Sequence, residues 1–205
     1  MRRLTLSIPA ILAAFISLVP LTSAHADGSA TALVERTADR MLRTLETRRA
    51  EIDADPRLIY DLVGRILAPH FDFELITQAA VGRDWSKATP AQRDDLVTGF
   101  REVLVRTYAK SLLKYSGEEI VYEKETPGTR KGTVLVQTRV QAPGSTPIPI
   151  DYRLHRKAGS WKVYDVVIEN VSLISNYRTQ FRSALARGGI TALIAELDAK
   201  NAGGA

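Results

Sequence analysis

Few side chains in this sequence could do chemistry. Of three histidines, His25 lies in the N-terminal segment before Asp27, which leaves His70 and His155. The chain contains no cysteine, so disulfides, thiolate metal sites and a cysteine nucleophile are excluded. A covalent mechanism would need Ser, Thr, Lys or a carboxylate. No serine stands in a nucleophile elbow, and neither a P-loop nor a dinucleotide fingerprint occurs. No carboxylates and histidines share metal-ligand spacing. His70 follows Pro69 at a helix end, where it reads as a capping or solvent-facing residue. His155 lies beside Arg153 and Arg156 in an alternating run and reads as outward-facing. Asp94-Asp95 and Glu118-Glu119 read as solvated pairs. Asp165 differs, because apolar strand residues flank it. It is read as half of a structural pair with Arg178, the lesser reading being a catalytic acid.

These residues must be held by helices and a sheet. An apolar stripe through Val34, Ala38, Met41, Leu42 and Leu45 predicts a helix from Ala32 to about Glu51. Asp55-Pro56 predicts a second helix start, with Leu58, Leu62, Val63 and Ile66 on its apolar side. Asp72 is placed to cap a short helix that Gly82 closes. Thr89-Pro90-Ala91-Gln92 is a capping box, and it opens the longest helix, to about Tyr115. Beyond Gly117 the period changes to two. Strands are expected over 120–124, 132–141, 148–156 and 160–168, with short turns between them. Short connections imply an antiparallel meander. Leu173, Ile174, Tyr177, Phe181 and Leu185 then form a final helix that Gly188-Gly189 interrupts. The class is α+β: a four-stranded antiparallel sheet packed against several helices.

The N-terminus reads as a secretory signal. Met1-Arg2-Arg3 is basic, Leu4 to Leu21 is almost wholly apolar, and Ala24-His25-Ala26 offers a cleavage site. The rival reading is a membrane anchor. Cleavage gives a signal peptide over residues 1–26, a single domain over 27–205 and a periplasmic location. It also removes two arginines from a formal net charge of +5. The remaining charge is too small for a nucleic-acid footprint, so no nucleic-acid partner is expected.

Several segments carry a family resemblance. They are Phe71-Asp72-Phe73, Val81-Gly82-Arg83-Asp84-Trp85, Ala88-Thr89-Pro90-Ala91-Gln92 running to Phe100, and Thr107-Tyr108-Ala109. Near the C-terminus they are Trp161 to Val166, Val171-Ser172-Leu173 and Asn176 to Phe181. In order and spacing the chain resembles the periplasmic toluene-tolerance family of phospholipid-binding proteins. These are soluble carriers of the system that maintains outer-membrane lipid asymmetry. One departure is Asn170, where the family often has glycine; asparagine tolerates the left-handed backbone a corner needs.

The resemblance implies a non-enzymatic carrier with no cofactor and no metal. Its partners would be phospholipid, an outer-membrane lipoprotein–porin complex, and an inner-membrane ABC transporter complex with its lipid-binding subunit. Periodicity alone leaves open whether sheet and helices enclose a dry core or an apolar ligand. With a ligand, a cavity near the upper end of the usual size range is expected. Its walls are assigned to Phe100, Leu104 and Tyr108 of the long helix, Val136, Tyr152 and Val167 of the sheet, and Tyr177 and Phe181 of the last helix. The alternatives are another apolar cargo such as a hopanoid, a periplasmic hydrolase using Asp165, and an adaptor that binds through its basic surface.

Overall fold

Local capping chemistry sets the helices of the computed structural model, which describes residues 28–203. The expected signal peptide lies outside these residues. Helix α1 (Ala30–Thr47) starts at Ser29, whose side chain accepts from the Ala32 amide. The single helix expected to about Glu51 is in fact two, since α2 (Arg49–Ala54) follows a break at Arg48. Asp55 does not cap α3 (Leu58–Ile66). Its carboxylate accepts from the Arg57 amide and guanidinium, at 3.1 and 2.9 Å, and so holds a turn before the helix begins. Helix α4 (Phe73–Val81) opens at Asp72 and stops at Gly82. Helix α5 (Pro90–Leu112) carries the full capping box between Thr89 and Gln92.

The sheet is an antiparallel meander of β1 (Glu119–Pro127), β2 (Thr133–Gln141), β3 (Ile148–Lys157) and β4 (Ser160–Ile168). A fifth strand, β5 (Val171–Ser172), corrects the expected count of four. Glu169 and Asn170 both take positive φ, at 48° and 68°. Two such residues in succession make the tight turn that suits the right-handed twist of a hairpin. The chain therefore reverses within two residues, and Val171 pairs with Ile168.

Helix α6 (Leu173–Ala202) breaks at Gly188-Gly189, where Gly189 has φ 62° and ψ −150°. Only glycine enters that region without strain. Residues from both halves, Asn176 and Tyr177 before the break and Lys200 and Asn201 after it, reach the same face of α5. The halves thus fold back on each other.

Three apolar clusters hold these layers together. Helices α4, α5 and α6 share one. The C-terminal part of α1 packs with α2, α3 and α5 in a second. The N-terminal part of α1 covers Val136, Leu154 and Val163 on the sheet in a third. Helix α1 covers only part of the inner sheet face. The remainder, around Ile150, Tyr152, Val166 and Ile168, faces α3 and α5 across a gap. No described helix is long and apolar enough to cross a membrane.

Candidate functional site

That gap is a cavity of about 400 Å³. Its floor is Ile150 and Tyr152 of β3 with Val166 and Ile168 of β4, which pair directly across the ladder. Its roof is Leu104, Val105, Tyr108, Ala109 and Leu112 of α5. Val63, Leu67 and Ala68 close one side, and Phe71, Phe73, Ile76 and Leu173 close others. The volume lies in the lower half of the usual ligand range of roughly 300–1,000 Å³, not near its top. The rings of Phe71, Phe73, Tyr108 and Tyr152 take up part of the space between the layers.

The cavity's polar groups are few, and its carboxylate is held by three donors. Asp165 is 3% exposed. Its Oδ2 accepts from Arg153 Nη1 at 2.8 Å and from the Ser172 hydroxyl at 2.7 Å, and its Oδ1 accepts from the Ile174 amide at 3.2 Å. The expected pairing with Arg178 does not form. Arg153 stands opposite Asp165 in the β3–β4 ladder, within immediate cross-strand reach. Arg178 instead donates twice to the Ala79 carbonyl, at 3.0 and 2.6 Å, near the end of α4. Held by three structural donors, Asp165 anchors the start of α6. The Tyr152 hydroxyl is pushed up to about 12 by burial, so it stays neutral. Burial also raises Tyr108 and Tyr177.

A second buried carboxylate sits behind the cavity wall. Asp72 is 5% exposed and caps α4 by accepting from the Leu75 amide at 3.2 Å. It also meets His155 Nε2 and Lys157 Nζ, each at 3.0 Å. Its own amide donates to the Val163 carbonyl at 2.9 Å. Burial pushes the Asp72 carboxyl up, but the Lys157 ammonium, the Leu75 amide and His155 outweigh that and hold it below the usual range. His155 therefore turns toward a carboxylate, where an outward orientation was expected. Phe71 and Phe73 flank Asp72 and stack 5.8 Å apart, so this anchor fixes two aromatic walls of the cavity. Among the described residues, no group of three or more His, Asp or Glu side chains is placed to hold a metal ion.

The eight wall residues assigned from sequence divide four ways. Leu104, Tyr108 and Tyr152 face the cavity. Phe100, Tyr177 and Phe181 do not; their rings pack edge to face in the α5–α6 core, Phe100 lying 4.8 Å from Tyr177 and 4.9 Å from Phe181. An i+4 row turns by about 40° per step along a helix. The α5 stripe that faces α6 at Phe100 has therefore swung onto the cavity by Tyr108 and Leu112. Val136 is buried beside α1. Val167 lies off the wall because β4 bulges at Tyr164-Asp165, where Arg153 pairs with Asp165 but Leu154 pairs with Val163. The extra residue exchanges the faces of everything after it. Val166 and Ile168 consequently point inward.

Sequence reasoning missed Ile150, two residues from Tyr152, and Leu112, four from Tyr108; both were signalled by periodicity. It also missed Val63, Leu67, Phe71 and Phe73, which reach the cavity through tertiary packing alone.

Known proteins resemble this chain in sequence and fold. The family model described as MlaC protein matches residues 35–199. A solved structure of a phospholipid-binding protein from Ralstonia solanacearum, in complex with a phospholipid, superposes with a TM-score of 0.79 at 32% identity. The match covers 86% of this chain and 99% of that one. The intermembrane phospholipid transport system binding protein MlaC of Haemophilus influenzae is 27% identical over 178 residues, 85% of this chain and 83% of that protein. The toluene tolerance protein ttg2D of Pseudomonas putida is 28% identical over 160 residues, 77% of this chain and 73% of that protein.

Proposed function

The chain belongs to the MlaC protein family, and from that premise we propose that it is a periplasmic, non-enzymatic carrier of glycerophospholipid. Its cavity takes acyl chains. It ferries them between an outer-membrane lipoprotein–porin complex and an inner-membrane ABC transporter complex with its lipid-binding subunit.

One observation carries this reading: the largely apolar cavity between sheet and helices, with its one carboxylate already bound by three donors. Each methylene moved out of water is worth about 0.8 kcal/mol, so two long tails in water cost on the order of 20 kcal/mol. A soluble ferry must sheathe them, and aliphatic and aromatic walls do that without headgroup chemistry. The phospholipid held by the Ralstonia relative supports the assignment at 32% identity.

Vesicle transfer tests the proposal. Lipid-stripped mature protein is mixed with donor vesicles containing radiolabelled phospholipid, recovered, and then offered unlabelled acceptor vesicles. Label should follow the protein and pass to the acceptors. A protein that recovers no label is not a carrier of this lipid.

A further inference from the structure

A second cleft, of about 580 Å³, lies on α5 next to the apolar cavity. Tyr108 belongs to both walls. Leu104 and Tyr108 stand four apart, as do Thr107 and Ser111, so the four residues form one strip of α5. The cavity begins on one side of that strip and the cleft on the other. Thr107, Tyr108 and Tyr177 line the cleft on that side.

The chemistry of the two spaces differs sharply. The cleft presents Arg106 and Lys110 from α5 and Lys200 from the end of α6, and no described carboxylate lines it. Lys200 leans 3.4 Å from Glu196, while Arg106 lies over the Tyr60 ring at 5.8 Å. Neither Arg106 nor Lys110 has an ion-pair partner among the described residues. Asn201 spends its amide N–H on the Gly99 carbonyl at 3.0 Å, and its buried Oδ1 has no donor. Unpaired cations lining a cleft suit a group with anionic oxygens.

We propose that this cleft binds a phosphate ester, namely the headgroup of the lipid whose tails fill the adjoining cavity. Arg106 and Lys110 meet the phosphate oxygens. The assignment rests on the carrier reading and adds a preference to it. Two cations without an ion-pair partner among the described residues, Arg106 and Lys110, favour a net-anionic headgroup over a zwitterionic one of equal chain length.

The test loads stripped protein from vesicles of phosphatidylglycerol and phosphatidylcholine with matched chains, then measures the headgroup ratio in the recovered protein. Wild type should enrich phosphatidylglycerol over the vesicle ratio by about two- to five-fold, the scale of a few solvent-screened charge contacts. Arg106→Gln with Lys110→Gln should abolish the enrichment, Arg106→Lys should retain it, and the remote control Arg43→Gln should not alter it. Equal ratios in wild type and the double variant overturn the headgroup site while carriage stands. Failure of wild type to load any lipid removes the carrier reading, and this site with it. A parallel phosphorus NMR titration uses inorganic phosphate alone. Line broadening that depends on Arg106 and Lys110, combined with headgroup-independent loading, assigns the cleft to free phosphate and overturns the lipid link.

Discussion

Asp165 and Arg153 meet at 2.8 Å across the β3–β4 ladder, and the same carboxylate oxygen accepts from Ser172 at the start of α6. One side chain thereby joins the sheet, the β4–β5 hairpin and the last helix. Asp165→Asn sets an amide N–H against the Arg153 guanidinium. Leaving the buried contacts unmatched should lower stability by about 2 kcal/mol. Urea unfolding should show a lower midpoint with an unchanged slope.

The Asp72 anchor should fail in acid. Its folded carboxyl titrates below the unfolded value, so its contribution is present above about pH 4 and is lost as pH falls through the lower folded value. Lys157 shifts the other way: the hydrogen bond to Asp72 raises it. That contribution is complete below the ordinary lysine range of about pH 10 and disappears above it. Melting temperature measured against pH should fall on both flanks. Asp72→Asn should flatten both and lower the plateau.

Gly189 should resist substitution. At φ 62° and ψ −150° an alanine Cβ is strained whatever space surrounds it. Gly189→Ala should cost about 1–3 kcal/mol. Calorimetry should show the loss, with helix content by circular dichroism nearly unchanged, because the break lies between two helical halves.

The β4 bulge predicts a reversal of faces. Ile168→Trp projects into the cavity and should displace bound lipid, whereas Val167→Trp should not. Phe100→Ala should behave differently again, costing about 3–5 kcal/mol from the α5–α6 core. Lipid per chain, measured on the folded fraction of each variant, separates the three.

Much of the frame was legible because it is local. The Thr89–Gln92 box, the Asp72 cap, the turns between strands and the break at Gly188-Gly189 each depend on residues close in sequence. The cavity wall was only partly legible. Tyr108 and Tyr152 follow from apolar periodicity, but Phe100 and Tyr108 share a stripe without sharing a destination, since the helix turns between them. Val167 was misplaced by a one-residue bulge that no alternation pattern displays. The Asp165–Arg153 and Asp72–His155 contacts span strands or distant elements, and such pairs become visible only when the register is known.

The central claim is that lipid tails occupy the space between α5 and the sheet. The direct measurement is mass spectrometry of an organic extract from purified mature protein, wild type beside Leu104→Trp. Wild type should yield close to one phospholipid per chain, and the tryptophan, filling the roof of the cavity, should reduce that several-fold in a protein that remains folded. An extract with the same lipid ratio from both, a cargo other than phospholipid, or no lipid from wild type would contradict the account.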